Sequence, residues 1–325
     1  MRPTSELRSR LEQANDNAAD FWSAQARARG WDHLRRPGFT AVRCTRDGAD
    51  LPRVVITRPY SDPQRLTAEI RTLLREWDTG RCCLEDPYQG LELAASGLES
   101  SLSMPVMTRE PDAVADRPSP RRTGTARPDG VGGAPAALLT VGEETGAEGL
   151  AEVERTVVDG FPVATALAAA GSPGGRGGLL PPELLEQPGF RFWLARVDAA
   201  GGADGAGGVG GADGADGWSA SSGRGLIGRS AGGQGMGGRG TGGRAVGGQP
   251  AAACVTYDNG ETVGVYWVAT LPVHRSKGLA RAVLSQALAA HPGRVATLTA
   301  TLLGEPLYRR LGFTEQGLAR WWRSR

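Results

Sequence analysis

"LPVHRSKGLARAVL", Leu271 to Leu284, is the stretch on which the reading of this chain turns. It follows an apolar run, "ETVGVYWVAT", and becomes apolar-periodic itself after Gly278. A strand therefore passes into a helix through His274, Arg275, Ser276, Lys277 and Gly278, all polar or small. Strand, tight polar turn and a helix with glycine at its start together present unpaired backbone N–H groups to an anion. Gly278 lets backbone approach a ligand with no Cβ in the way, and Arg275 and Lys277 add positive charge at the helix entry. The two familiar phosphate loops do not fit, because there is no G-x-x-x-x-G-K-[ST] and no G-x-G-x-x-G after a strand. On these residues alone, an anion site and an ordinary polar strand-to-helix loop both stay open.

The rest of the chain bounds the answer. Its 325 residues suffice for one large domain or two small ones. A net charge of +2 creates no global basic field, so nucleic acid is not an expected partner. Lys277 is the sole lysine beside 36 arginines, a bias that reads as genomic and not functional. Cys44, Cys82, Cys83 and Cys254 show no C-x-x-C spacing and no accompanying histidine cluster, which argues against a disulfide framework and a zinc site, so no metal is expected. The charged N-terminus lacks the apolar core of a signal peptide, and no run approaches the roughly 18 apolar residues of a membrane span. The expectation is a cytoplasmic protein that needs no membrane.

Composition divides the chain into an N-terminal α/β unit over residues 1–108, a Pro/Gly-rich linker over 109–135, and a second domain over 136–325. Residues 201–248 hold 22 of the 49 glycines and little apolar surface, so an insertion spanning 199–249 is expected to be disordered. Before the linker, strands at 39–44 and 52–59, a helix at 62–77, a strand in "RCCLEDPY" and a short helix in "GLELAASGL" are predicted. After it come a strand in "AALLTVGEE", a helix opened by a Thr145/Glu148 capping box, and a strand at Arg191–Asp198. A strand in "PAAACVTYD" follows, and "DNG" at 258–260 signals a type I′ hairpin into the long apolar strand. Beyond the quoted stretch lie a strand in "VATLTAT", a short helix in "GEPLYRRLGF" and terminal strands in "FTEQGLARWW".

Three features now combine. Arg275-x-x-Gly278-x-Ala280 matches [Q/R]-x-x-G-x-[G/A], a long strand precedes it, and "LYRRLGF" resembles a Y-x-x-x-G-F segment. In this order the C-terminal residues 136–325 resemble the GNAT superfamily of N-acetyltransferases. The resemblance implies an α/β fold with a mixed, mostly antiparallel sheet, a V-shaped opening between two parallel central strands, and flanking helices. The N-terminal unit resembles a degenerate half of such a domain, because "DPQRLTAEI" stands where the signature would be and lacks its glycine.

What the resemblance implies for chemistry is acetyl-CoA as co-substrate and direct acetyl transfer to an amine. Backbone amides of Arg275, Ser276, Lys277, Gly278, Leu279 and Ala280 would hold the pyrophosphate. Val268, Ala269 and Thr270 would meet the pantetheine arm and the acetyl carbonyl, and Tyr308 takes the place of the family's general acid. Some members carry a carboxylate base in the strand before the signature, where Gly264 stands here, so no dedicated base is expected. Phe161, Tyr266 and Trp322 are candidates for the acceptor pocket. Cys254 reads as core packing, and His274 and His291 as solvated. The acceptor is a small-molecule or peptide amine, and a homodimer is allowed. Two other readings compete: a GNAT-fold acyl-CoA sensor without turnover, and RNA binding through the four arginines of the glycine tract.

Overall fold

The apolar run that ends at the polar turn lies inside a twelve-stranded sheet. The computed structural model describes residues 8–46, 49–79, 82–100, 103–111, 139–161, 178–198 and 248–324. In chain order the first part holds α1 (Arg10–Arg29), β1 (His33–Arg36), β2 (Phe39–Arg46), β3 (Ala49–Ile56) and α2 (Pro63–Glu76), then β4 (Cys83–Asp86), β5 (Leu98–Ser100) and β6 (Met104–Arg109). The second part holds β7 (Leu139–Glu144), α3 (Ala147–Gly160), β8 (Phe190–Val197), β9 (Gln249–Asp258) and β10 (Thr262–Thr270). It continues with α4 (Leu279–Ala289), β11 (Val295–Thr299), α5 (Glu305–Arg310) and β12 (Thr314–Ser324).

The strands lie in the order β1-β2-β3-β4-β12-β6-β11-β10-β9-β8-β7, with β5 also paired to β12. Two neighbouring pairs are parallel, β3 with β4 and β10 with β11, and each is joined by a crossover helix, α2 and α4. Every other pair is antiparallel. The fold is thus a mixed, mostly antiparallel sheet flanked by helices, with one motif occurring twice.

The two parts are interleaved. β6, from the first part, lies between β11 and β12, and β12, the last strand of the chain, separates β6 from β4. Each part therefore supplies a strand to the other's sheet. Sequence periodicity does not reveal this, because a strand's neighbours are set by chain folding and not by its own pattern.

Three packed layers fix the faces. Val283, Leu284 and Ala287 of α4 pack against Trp193, Val263, Ala296, Leu298 and Phe313 on one face. On the other, Leu150, Val153 and Val157 of α3 lie with Phe21 of α1 against Phe192 and Val255. Leu66, Ile70 and Leu73 of α2 cover Ile56, Leu84 and Trp322. Each such fully buried large side chain contributes about 1.5–3 kcal/mol.

Helix α1 is unlike the others because half of the residues it buries are polar. Ser9 and Glu12 form its capping box, and Gly30 ends it at φ 66°. Asn15, Asp16, Asn17 and Gln25 are all buried. Asp16 pairs with Arg8 at 2.6 Å and Arg58 at 2.8 Å, and Asn17 donates to the carbonyls of Thr262 (3.0 Å) and Tyr257 (3.2 Å). Next to it, the Arg53 guanidinium lies 4.3 Å from the Trp22 ring and 4.6 Å from the Trp321 ring, and pairs with Glu85. Removing one partner of a pair this deep strands the other charge, at about 3–5 kcal/mol, so these contacts tie α1, β3, β4 and β12 together.

Some local expectations are corrected. "GLELAASGL" forms a three-residue 3-10 turn at Ala94–Ser96 and then β5, since Gly97 (φ 78°) ends the turn at once. Helix α3 is capped by Gly146 with no side-chain hydrogen bond, so Thr145 and Glu148 make no capping box. At "DNG" Gly260 has φ 94° whereas Asn259 is not left-handed, so the hairpin is not type I′; the Asn259 side chain instead accepts from the amides of Glu261 and Thr262. After Phe313, "TEQGLARWW" lies in one strand, β12. The stretch read as a linker begins at Arg109, the last residue of β6; residues 112–138, and 199–247 of the glycine-rich insertion, lie outside the described residues.

Candidate functional site

The parallel pairing of β10 with β11 covers Thr262↔Val295, Val263↔Ala296 and Gly264↔Thr297, and then stops. Both strands continue, β10 to Thr270 and β11 to Thr299, so they part after Gly264 and open a V. On its other edge β10 keeps its pairing with β9, interrupted by a bulge between Tyr266 and Ala269 where Trp267 stands at φ 51°. A left-handed non-glycine residue costs roughly 1–2 kcal/mol. What the bulge achieves is to turn β10 away from β11, leaving backbone groups on its open edge for another partner.

At the C-terminal end of β10, the chain makes a 3-10 turn over Pro272–His274 and passes through Ser276 (φ 60°) and Gly278 (φ 79°) into α4. Gly278 is the N-cap, and no side chain caps the helix. The first-turn amides of α4 have no intrahelical partner by construction, and alternating handedness just before them makes a concave nest of N–H groups. A Cβ at Gly278 would meet nothing within 4 Å, so the space in front of the nest is open.

The cationic side chains brace this turn. Arg275 donates to the Gly160 carbonyl at 3.0 Å and the Thr270 carbonyl at 3.4 Å, joining the ends of α3 and β10. Lys277 turns its Nζ back onto the Val273 carbonyl at 3.0 Å. The corresponding helix start in the first part is closed, because the Asp62 side chain accepts from the Arg65 amide at 2.9 Å.

Tyr308 of α5 is buried among the α4-face core, 6.0 Å edge-on from Phe313. Burial pushes its phenol well above the ordinary range, and its hydroxyl bonds no other described residue. Tyr266 is on the opposite face. Its hydroxyl donates to Asn17 Oδ1 at 2.7 Å, its ring stacks on Phe21 with centroids 3.7 Å apart, and burial raises its phenol strongly. Gly264 is crowded by the same pair: a Cβ there would lie 2.0 Å from Asn17 Oδ1 and 2.4 Å from the Tyr266 ring. Helix α1 thus occupies the space that a carboxylate on this strand position would need.

The remaining candidates divide. Val268 packs toward α4, Ala269 is buried toward α3, and the Thr270 carbonyl holds Arg275, so these three border the V. Phe161, half-buried at the end of α3, packs in the cluster that contains Tyr266 and Trp267. Trp322 does not join them. Strand alternation sends it under α2, 2 % exposed, while its neighbour Trp321 meets Arg53. His291 is not solvated either. It is buried, with Nε2 3.1 Å from Thr256 Oγ1 and Nδ1 3.8 Å from Asp258, and His274 is half-buried in its turn. Cys254 is fully buried in the core. Asn17 and Phe21, which complete the α1 side of the site, escaped sequence reasoning because nothing local marks a helix that contacts a strand about 250 residues away.

Among the described residues no three His, Cys, Asp or Glu side chains are placed to hold a metal ion, and no helix is long and apolar enough to cross a membrane.

Residues 242–315, which contain β9 to α5, match the model of the acetyltransferase (GNAT) domain. No curated protein matches the chain. Among solved structures it is similar to a GCN5-related N-acetyltransferase from Kribbella flavida, at 16 % identity over 94 % of this chain and 95 % of that one, TM-score 0.49. It is also similar to a tandem GNAT protein from the clavulanic acid biosynthesis pathway, at 13 % identity over 97 % and 95 %, TM-score 0.45. A GCN5-related N-acetyltransferase-like protein from Streptococcus suis 89/1591 matches at 10 % identity over 97 % and 100 %, TM-score 0.43.

Proposed function

We propose that this chain, a member of the GNAT superfamily, moves an acetyl group from acetyl-CoA to an amine. The observation that carries the reading is the V that opens after Gly264 and ends at a helix whose first-turn amides have no side-chain cap. For a pyrophosphate there, the amides from Ser276 to Ala280 supply the donors, the Arg275 amide being taken by the Pro272 carbonyl at 3.2 Å, and the helix N-terminus favours negative charge. Val268, Ala269 and Thr270 then receive the pantetheine arm and the acetyl carbonyl along the unpaired edge of β10.

In the reaction the amine nitrogen bonds to the thioester carbonyl carbon, the carbon–sulfur bond breaks, and the electron pair leaves on sulfur. In this reading a backbone amide at the bulge stabilises the carbonyl oxygen as charge develops on it. Tyr308, a phenol protonated at neutral pH, donates to the departing thiolate; the nitrogen gives its proton to water as it becomes the amide product, and the tyrosine regains its own from solvent. Tyr266 and Phe161 line the acceptor side. The first part of the chain reads as a coenzyme-free copy of the motif, with Asp62 in the place of the phosphate.

Mass analysis of products formed from acetyl-CoA with a panel of primary amines tests the proposal. The expected result is an amine gaining one acetyl group. Tight acetyl-CoA binding with no acetylated amine would instead support a sensor without turnover.

A further inference from the structure

Between α1 and the sheet lies a cavity of about 20 Å³, room for a single water. It is lined by Tyr266 on β10, Thr297 and Thr299 on β11, Asn15 on α1 and Glu85 on β4. It therefore touches the strands at the point where they part, on the face opposite α4. Glu85 is the one carboxylate among its lining residues and comes from the first part of the chain. The Glu85 side chain is 9 % exposed. Arg53 takes its Oε1, and among the described residues nothing bonds its Oε2.

Resting on the transfer reading above, we propose that this cavity is the proton exit for the acceptor amine, with Glu85 as proton acceptor. The acceptor is then an amine that arrives as an ammonium ion. Its nitrogen gives a proton to a water in the cavity, and that water gives one to Glu85 Oε2, leaving a neutral amine with a free electron pair. Nothing is oxidised or reduced, and the carboxylic acid so formed returns its proton to solvent after product leaves. Four polar side chains, Asn15, Thr297, Thr299 and Glu85, are enough to hold one bridging water.

The arrangement accounts for two features together. The position on β10 where a carboxylate could stand is filled by Asn17 and Tyr266. Helix α1 that fills it also forms one wall of the cavity leading to Glu85. The charged and titratable groups facing Glu85 are Arg53 on β3, Cys83 on its own strand and Tyr266 on β10. Asn15 of α1 and Trp321 of β12 do not titrate, and Arg323 of β12 stacks on the Trp321 ring.

The experiment uses the full chain and measures CoA release from acetyl-CoA with a panel of primary amines, as a function of pH. Wild type should hold its rate across neutral pH. Glu85→Gln should lower kcat by about 10²-fold near neutrality with KM for acetyl-CoA unchanged, and its rate should climb about tenfold per pH unit into the alkaline range. Glu85→Asp should restore part of the neutral rate. Because Glu85→Gln leaves the Arg53 charge unpaired, the double variant Glu85→Gln with Arg53→Met is measured alongside and should show the same pH profile. Wild-type kinetics in a folded Glu85→Gln or double variant would overturn this proposal and leave the transfer reading standing. Wild type that binds acetyl-CoA but acetylates no amine would overturn both.

Discussion

Placing a carboxylate at the helix cap is the sharpest perturbation of the proposed coenzyme site. Gly278→Asp adds one negative charge at the open N-terminus of α4, about one side chain's length from the nest. Two unit charges about 5 Å apart repel by about 0.8 kcal/mol even at the dielectric constant of bulk water, so a pyrophosphate with two charges loses about 1.7 kcal/mol. The new carboxylate also competes for the same first-turn amides, as Asp62 does at α2. Acetyl-CoA affinity should therefore fall at least tenfold, about 1.4 kcal/mol or more. Gly278→Ala is the control. With no atom within 4 Å of its Cβ and φ at 79°, alanine costs about 1–2 kcal/mol of folding stability, but this strain is common to free and bound protein and leaves affinity almost unchanged. Titration calorimetry at about 0.1 M and about 1 M salt reads both effects, and the difference between the variants should shrink at high salt as the charge is screened. Equal affinity in Gly278→Asp and wild type would refute the assignment of this turn.

Three further outcomes are expected. Gly264→Ala should destabilise the protein by about 1–3 kcal/mol through overpacking against Asn17 and Tyr266, seen as a lower melting temperature; the same substitution should cost less in an Asn17→Gly background, which is itself less stable because the Tyr257 and Thr262 carbonyls lose their donor. Since Val197 already pairs with Gln249, replacing residues 201–248 by an Asn-Gly turn should keep acetyl-CoA affinity and gain about 2 kcal/mol or less from the shorter closure, and an insoluble product would show the segment to be needed. Burial, helped by Arg191, holds His291 below its ordinary value, so the unfolded chain takes up the proton more readily than the native one. That contribution to stability is complete above about pH 6.5 and is lost as pH falls toward the depressed native value. Wild type should melt lower at pH 5.5 than at pH 7.5 by more than His291→Gln does, and equal drops would contradict this.

The sequence exposes those parts of the site that are local. Strand β10, the turn and α4 are consecutive, so apolar periodicity and the spacing of Arg275, Gly278 and Ala280 reveal them without any tertiary contact. The same holds for β11, Tyr308 and the Gly312 stop, where φ is 86°. What could not be read depends on distant pairing. Helix α1 buries Asn15, Asp16 and Asn17 among Ala14, Ala19, Phe21 and Ala24, so polar residues break the apolar rhythm that marks a core helix. Its reason for burying them lies in carbonyls of Tyr257 and Thr262. Trp322 reads as a pocket residue in the sequence because alternation tells that Trp321 and Trp322 face opposite sides but not what either side meets. The interleaving of β6 and β12 decides that, and it places Glu85 of the first part beside the opening in the second.

The measurement that bears most directly on the central claim is amine-dependent release of CoA from acetyl-CoA by the wild type and by Tyr308→Phe, with acetyl-CoA affinity measured for both. The account predicts release that requires an amine, a loss of about 10²-fold in kcat for Tyr308→Phe, and equal coenzyme affinity in the two proteins. Bound acetyl-CoA without amine-dependent release in wild type would contradict the claim of transfer, and equal turnover in the two proteins would return Tyr308 to the core.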